Sequence, residues 1–157
     1  MNDVSPYETA LQVIHNLLQV NHTNNKKMEF YAAQNDIVWA GGYHKPRMAF
    51  GPFNYILKDH CRRHNFHLIE HIYFGKPEKK AFSFVENEMK KECSDGTFFM
   101  VGDNPRADIR GANNIGWFSF LTKTGIHTDE GNSEVDPATV VVHNFAEAVD
   151  IVLKLQK

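Results

Sequence analysis

Apolar positions near the start of the chain recur at helical spacing. Between Tyr7 and Val20 they form two rows with spacings of three and four residues, one of Ala10, Val13 and Leu17 and the other of Leu11, Ile14 and Leu18. This spacing predicts one apolar helix face, and Ser5 with Pro6 provides a cap and a first-turn proline just before it. We therefore expect a helix over residues 7–20.

The pattern then changes to a polar stretch followed by short apolar runs. "NHTNNKK", residues 21–27, predicts a surface loop, and Ile37 to Ala40 predicts a short strand that ends at two glycines. The segment "GGYHKPRM", residues 41–48, has the composition of a linker. We expect a boundary between two parts of the protein here.

Beyond residue 48 the patterns of helix and strand alternate regularly. Helical spacing covers residues 49–64, 77–92 and 105–114, and apolar strand runs cover 68–74, 97–101 and 117–121. A strand at 140–142 and a helix at 145–155 complete the series. Strands that alternate with helices of this length predict parallel βαβ units and a doubly wound α/β sheet. Chemistry in such sheets collects at the carboxyl ends of the strands.

Composition limits the classes of function but names no partner. The chain has 157 residues, 42% of them hydrophobic, and a formal net charge of −2, so it lacks the basic surface typical of nucleic-acid binding. No apolar run approaches the roughly 18 residues of a membrane span, and the N-terminus lacks the pattern of a signal peptide. The two cysteines, Cys61 and Cys93, form no CxxC pair. A reducing intracellular compartment is the simplest setting.

Two carboxylates follow the apolar strand at residues 97–101. Gly102 and Asp103 come directly after it, Asn104 and Pro105 suit the cap and first turn of a helix, and Asp108 lies about one turn further on. Paired carboxylates at a strand end suit Mg2+. Acidic residues are also common near helix N-termini, where they interact with the helix dipole. From spacing alone both interpretations stay open.

Lys76 follows the preceding strand at a position where a cation is unexpected. Pro77 suits the first turn of the next helix, so Lys76 is predicted to occupy the cap position. The positive end of the helix dipole opposes a cation there by about 0.3–1 kcal/mol. A local rule broken at a strand end indicates a functional residue, such as one that binds a phosphoryl group. The alternative is an ordinary solvated lysine.

These two strand ends resemble a known family. "GKP" at residues 75–77 and "GDNPRADIRGANNIGWFSFLTKTG" at residues 102–125 are similar to motifs III and IV of the haloacid dehalogenase (HAD) superfamily of phosphohydrolases. More narrowly, they resemble its class IIA branch, which carries a large cap, and within that branch the cat-eye-syndrome-region-5-like subfamily. The earlier "ETALQVIHNLL" and "NDIVWAGGYHKPRMAFGPF" resemble the end of the cap and its return to the core.

The resemblance implies a fold, a cofactor and a set of site residues. The fold would be a three-layer Rossmann-like (HAD-like) parallel sheet, partial in this chain and preceded by the end of an α/β cap. The activity would be Mg2+-dependent hydrolysis of small phosphate monoesters through an aspartyl-phosphate. Asp103 would ligate the metal and Asp108 would hold it directly or through water. Lys76 would stabilise the nucleophile and the transferring phosphoryl group. Asn104 would contact the phosphate or orient the loop, or serve as a helix cap.

The chain also departs from the family. Motif I is an Asp-x-Asp pair that supplies the nucleophile, and no two aspartates in this sequence have that spacing. Motif II is missing as well. We therefore expect a C-terminal portion of a longer phosphatase, with residues 1–45 as the cap remnant and residues 46–157 as the C-terminal half of the core. Such a chain is expected to be inactive alone, and to need a missing N-terminal half or self-association to cover exposed sheet edges.

Several other signals have weaker spacing. His60, His64, His67 and His71, with Cys61 between them, suggest zinc, but the interpretation as solvated or partly buried histidines is favoured. Arg106 and Arg110 could contact an anion or simply lie on an exposed helix face. The acidic stretch 129–136 lacks the alternating order of a calcium loop.

Two functions remain as hypotheses at this level. The leading one is the enzyme portion just described. The alternative is a non-catalytic protein of the same fold that binds a metal or anion as a scaffold. No nucleic acid or membrane partner is expected, and a location in the cytoplasm or the mitochondrion fits both.

Overall fold

The computed structural model describes residues 7–66 and 69–155. The helices are α1 (Tyr7–Thr23), α2 (Gly51–Arg63), α3 (Lys79–Glu92), α4 (Arg110–Ile115) and α5 (Phe145–Leu155). The strands are β1 (Met28–Ala32), β2 (Val38–Trp39), β3 (Arg47–Met48), β4 (Ile69–Tyr73), β5 (Phe99–Gly102), β6 (Phe118–Thr122) and β7 (Val140–Val142). A π-helical turn over Pro105–Ile109 leads into α4. No helix in these two ranges has the length and apolar composition that crossing a membrane requires.

The strands form three sheets. β5, β6 and β7 pair in parallel and in chain order, β1 pairs in parallel with β4, and β2 forms a small antiparallel hairpin with β3. The α/β class and the partial Rossmann-like arrangement of parallel strands are confirmed. In the described ranges the parallel strands lie in two separate sheets, however, and do not form one continuous doubly wound sheet.

The predictions for residues 21–48 agree with the structure only in part. The polar stretch predicted as a loop is shorter, because α1 continues to Thr23 and β1 begins at Met28. β1 was missed, although its half-exposed and exposed residues alternate as a strand with one buried face should. The predicted linker at 41–48 ends in β3, which pairs with β2 and so returns the chain on itself. Ser5 and Pro6, the predicted cap of α1, lie outside the described residues.

The first apolar core joins α1 to α2. Leu18, Phe53 and Leu57 are buried members of it on the two helices, and Met28 and Phe30 of β1 pack against it. This core therefore includes residues on both sides of the predicted boundary between 45 and 46. β4, which also belongs to the second predicted part, pairs with β1 along its whole length. The packing groups residues 7–66 and 69–73 together, and the assignment of a cap stays a prediction.

The second apolar core packs against both faces of the sheet β5-β6-β7. Leu121 of β6 and Ile109 of the π-helical turn are completely buried on one side. Phe120, Val142 and Ala148 form the cluster on the other side, where α5 covers the sheet. Alternate residues of β6 thus face opposite layers, as expected for a strand covered on both faces. This packing fixes the carboxyl end of β5, where the candidate site lies.

Candidate active site

A cavity of about 210 Å³ opens at the carboxyl end of β5. It lies where the turn before α3, the π-helical turn after β5 and the segment leading into β2 approach one another. Its lining consists of Asp36, Val38, Trp39, Ala40, Lys76, Asp103, Asn104, Asp108 and Ile126. All four residues that the sequence nominates for the site, Lys76, Asp103, Asn104 and Asp108, line this one cavity.

Asp103 is held by the loop that follows β6. Its Oδ2 accepts a hydrogen bond of 2.7 Å from the backbone N–H of Ile126. Its backbone carbonyl accepts one of 3.1 Å from the backbone N–H of His127. Within the described residues, Oδ1 of Asp103 accepts no hydrogen bond from the protein. One carboxylate oxygen is therefore fixed while the other is available to a ligand.

Asp108 is the most deeply buried carboxylate of the site, with 2% of its surface exposed. It lies in the π-helical turn, where its Oδ2 accepts a hydrogen bond of 3.0 Å from the backbone N–H of Asn104. Its Oδ1 accepts one of 2.5 Å from the ammonium group of Lys76. Both oxygens of Asp108 are thus engaged, and its orientation is determined by its surroundings.

Lys76 does not cap α3, and that prediction was wrong. The helix begins at Lys79 with Glu78 at its cap position, because a turn closed by a hydrogen bond from Glu78 N–H to the Gly75 carbonyl precedes it. A residue before proline is disfavoured in helical conformation, which keeps Lys76 in this turn. Its charge is balanced by Asp108 and not opposed by the helix dipole.

The ionic state of Lys76 is set by two opposing effects. Burial lowers its pKa, but the hydrogen bond and charge of Asp108, together with the charges of Asp36 and Asp103, outweigh burial and raise the pKa overall. The side chain is still 45% exposed, so water screens part of this attraction. Lys76 therefore stays cationic at neutral pH and presents a positive charge to the cavity.

Asn104 serves as the cap that the sequence allowed for. Its Oδ1 accepts a hydrogen bond of 3.1 Å from Arg106 N–H, and its side-chain amide donates one of 3.4 Å to Asp36. The first contact is that of an N-cap residue. The second links the turn after β5 to the segment before β2. Capping explains Asn104 without a phosphate contact, which remains a proposal.

Asp36 is a site residue that the sequence reasoning missed. It follows β1 by four residues, so recognising β1 as a strand would have placed it near a sheet edge. Burial raises the pKa of Asp36, Lys76 opposes this rise, and the negative charges of Asp108 and Asp103 add to it. Asp36 is thus a third carboxylate in a region where negative charge already exceeds positive charge.

The donor set fits a hard divalent cation. Three carboxylates and one ammonium group line the cavity, so a cation would balance the excess negative charge. Mg2+ binds to one or two carboxylates and keeps several waters, for which the cavity has room. Asp103 offers a free oxygen to such an ion, and Asp108 shares its charge with Lys76.

A second, larger cavity of about 430 Å³ shares Asp36 and Trp39 with the first. Its other lining residues come from the start of α1, from the segment after β1 and from the stretch between the end of β3 and α2. They are Tyr7, Gln34, Met48, Ala49 and Phe50. Apolar and aromatic side chains dominate this list. The charged cavity therefore lies beside one with room for an organic group.

The residues with weaker sequence signals lie at different places in the structure. Arg110 pairs with Asp136 through two hydrogen bonds of 2.8 Å, which joins α4 to the acidic stretch at 129–136. Cys61 is buried in the first core, and His71 packs beside Phe30 of β1. His60 and His64 do lie together, next to His15 of α1, while His67 falls outside the described residues.

Comparison with known proteins relates the chain to hydrolases. A family model described as HAD-hydrolase-like matches residues 73–148, which include the four nominated residues. A cardiolipin synthase (CMP-forming)/mitochondrial hydrolase fusion protein of Schizosaccharomyces pombe is 35% identical over 83% of this chain and 23% of its own length. A mitochondrial hydrolase of Saccharomyces cerevisiae is 26% identical over 94% of this chain and 52% of its own length.

The solved structures agree on the fold. A 4-nitrophenylphosphatase from Thermotoga maritima matches with a TM-score of 0.62 at 20% identity, over 95% of this chain and 52% of that protein. At this identity the likeness shows the fold alone. The chain spans about half or less of the length of the curated relatives just described.

Proposed function

Because the chain belongs to the haloacid dehalogenase superfamily of hydrolases and resembles its class IIA branch, we propose that it carries one half of a phosphatase active site. The observation behind this proposal is the convergence of Lys76, Asp103 and Asp108 on one cavity at the end of β5. This half would bind the metal and the phosphoryl group. That the chain belongs more narrowly to the cat-eye-syndrome-region-5-like subfamily stays a prediction.

In this proposal Asp103 and Asp108 hold a Mg2+ ion, which would draw charge from the phosphoryl oxygens when bound. The ammonium group of Lys76 attracts the phosphate dianion and keeps Asp108 in place. The substrate would be a small phosphate monoester, with its phosphoryl group in the charged cavity and its organic group toward Trp39 and Phe50 of the larger one. The catalytic role therefore falls on Lys76, and the metal role on the two aspartates.

The nucleophile must come from a separate segment. An aspartyl-phosphate forms when a carboxylate oxygen attacks phosphorus and the ester oxygen leaves with its electron pair, takes a proton and departs as the alcohol. Water then attacks the acyl phosphate and releases phosphate. No Asp-x-Asp pair occurs in these 157 residues. We propose that the chain by itself does not complete this cycle.

The missing Asp-x-Asp pair also favours a second candidate function. A non-catalytic protein of the same fold would keep the cavity of Asp103, Asp108 and Lys76 to bind a metal or an anion, without a need for a nucleophile. The two candidates share metal binding and differ in whether hydrolysis can be restored. Because both curated relatives are named as mitochondrial, we propose the mitochondrion as the location of the protein.

Metal binding by the chain itself is the first test. Mn2+ can replace Mg2+ and be followed by electron paramagnetic resonance. We expect one Mn2+ to bind per chain, with Mg2+ competing, and Asp103→Asn to weaken binding by at least about tenfold. Asp129→Asn removes the same charge from an exposed loop residue outside the cavity, and we expect it to bind Mn2+ like the unaltered chain.

Hydrolysis of 4-nitrophenyl phosphate is the second test. We expect none from the chain alone, and activity once it is co-expressed with the part of the S. cerevisiae relative that the alignment leaves uncovered. Lys76→Ala should lower this restored activity on the order of 10² to 10³ fold. Mn2+ binding that Asp103→Asn leaves unchanged would contradict the metal assignment. Mn2+ binding without any restored hydrolysis would favour the scaffold.

A further inference from the structure

Three histidine rings meet where α1 crosses the end of α2. His15 on α1, His60 on α2 and His64 just past the end of α2 each present one ring nitrogen, and these nitrogens lie within 4.8 Å of one another. Nδ1 of His15 and Nε2 of His60 are 2.8 Å apart. We propose that this group, called the histidine triad below, binds a divalent transition-metal ion such as Zn2+.

The backbone holds the histidine triad in place before any metal binds. His60 and His64 are four residues apart, and the backbone N–H of His64 donates a hydrogen bond of 3.1 Å to the His60 carbonyl, which continues the helical spacing by one turn. Residues at this spacing project from the same helix face. His15 is positioned separately by α1, which the first core joins to α2. Little rearrangement is therefore needed to bring the three nitrogens around one ion.

Distances within the histidine triad suit zinc. A Zn–N bond is about 2.0–2.1 Å long, so ligand nitrogens in a tetrahedral site are separated by roughly 3.3 Å. The His15–His60 pair is slightly closer than that, and no pair exceeds the 4.8 Å limit. Ring rotations that move each nitrogen by a few tenths of an ångström to about 1 Å are enough to reach the separations of a tetrahedral zinc site. His64 is exposed, which leaves room for water as the fourth ligand.

The chemistry of the surroundings also favours a metal ion over protons. Within residues 7–66 and 69–155, no carboxylate forms a salt bridge with any of the three rings. The Phe66 ring stacks on His64 and lies against His15, so one side of the triad is apolar. Neutral imidazole is the form that binds Zn2+, and imidazole suits Zn2+, Cu2+ and Ni2+ better than it suits Mg2+. The triad is thus chemically distinct from the carboxylate cavity.

A metal ion in the histidine triad would join α1 to α2. Two of the ligands belong to the end of α2 and one to α1, so the ion would cross-link two helices that otherwise meet through apolar contacts. A metal ion that binds the folded state and not the unfolded state stabilises the folded state. The role inferred is structural, and it does not depend on the proposed phosphatase function.

Zn2+ binding to the chain tests the inference. The chain carries Asp103→Asn to disable the carboxylate cavity, and any polyhistidine tag is removed because it would bind Zn2+ itself. We expect calorimetry to show one Zn2+ per chain, thermal denaturation to shift upward with Zn2+, and Co2+ to give the visible absorption of a four-coordinate site. His64→Gln changes an exposed side chain and should fold normally, yet lower Zn2+ affinity by at least about tenfold.

His22→Gln is the matched control. His22 also lies on α1 and also contacts the Phe66 ring, but it is outside the triad. We expect it to bind Zn2+ and to gain thermal stability as the Asp103→Asn chain does. The inference is overturned if the Asp103→Asn chain takes up no Zn2+, if His64→Gln and His60→Gln both bind it with unchanged affinity, or if His22→Gln weakens binding as much as they do.

Discussion

Two glycines determine how closely the site carboxylates approach the backbone. A Cβ atom at Gly102 would lie 2.4 Å from the side chain of Asp108, and one at Gly125 would lie 1.8 Å from Oδ2 of Asp103. Both distances are too short for real atoms, so each carboxylate occupies space that any other residue would fill. Glycine at these two positions is therefore what allows the carboxylates to lie against the backbone.

Gly125→Ala should therefore weaken metal binding without a change in charge. The new methyl group has to displace Asp103 from the backbone N–H of Ile126, with which it now forms a hydrogen bond of 2.7 Å. We expect Mn2+ affinity to fall about tenfold, which corresponds to roughly 1.4 kcal/mol. Titration of the chain with Mn2+ measures the change.

Gly131→Ala is the control, since a Cβ at Gly131 meets nothing within 4 Å. It should bind Mn2+ as the unaltered chain does. If Gly125→Ala also leaves Mn2+ affinity unchanged, then the position of Asp103 in the folded chain does not govern binding, and the assignment of this residue as a metal ligand loses its support.

At the scale of elements, α3 packs against the rest of the molecule through Phe82, its one buried residue. This ring is 5% exposed, lies against α4 at Gly111 and meets the Trp117 ring edge-on with centroids 5.6 Å apart. α3 follows the turn that carries Lys76, so its attachment also positions the lysine. Packing at one residue thus connects an element to the chemistry of the site.

Phe82→Ala should lower the free energy of unfolding by about 3–5 kcal/mol, the usual cost of removing a buried aromatic ring. Phe84→Ala is the matched control on the same helix, because Phe84 is 67% exposed and its loss should cost little. Urea denaturation of both variants gives the comparison. Equal destabilisation by the two variants would contradict the attachment of α3 through Phe82.

The bounds of the helices and strands show how much of the secondary structure could be predicted from the sequence. Long apolar periods predicted α1, α2, α3 and α5 to within a few residues, since a buried helix face requires them. β1 was missed because its alternating pattern is short and follows a polar stretch. The predicted position of Lys76 was wrong because a turn over residues 75–78, closed by the hydrogen bond from Glu78 N–H to the Gly75 carbonyl, contains Pro77 and delays the start of α3 to Lys79.

Site residues close in sequence were easier to predict than those brought together by folding. Asp103 and Asp108 are five residues apart around a turn, so the sequence could propose them as a pair, although their spacing alone also allowed an interaction with the helix dipole. Asp36 and the partnership of His15 with His60 depend on contacts between segments 45 or more residues apart. No local pattern encodes such contacts, and the sequence therefore left them out.

At the scale of the whole molecule, β5 is a strand with one free edge. It pairs with β6, and within the described part of the chain nothing pairs with its other side. All four of its residues are partly exposed. Unpaired strand edges bind other strands readily. Because Asp103 follows β5 directly, a segment that brings a nucleophile to the site is expected to pair with this edge.

Hydrogen exchange should reveal this edge. In a parallel ladder alternate N–H groups of a strand point to opposite sides, so about half of the amides of β5 should exchange fast in dilute solution. At higher concentration, or with the complementary segment of the S. cerevisiae relative present, we expect these amides to become protected. Light scattering should show mass above the 18.0 kDa of one chain in the same samples.

The outer edge of β7 provides the internal control for that measurement. β7 lies at the opposite side of the same sheet, has three residues and is followed by α5, and no residue of the candidate cavity lies on it. Its amides should exchange at the same rate with and without the complementary segment. Protection of β7 in place of β5 would show that partners bind away from Asp103, and the proposal that a partner strand completes the active site would then be wrong.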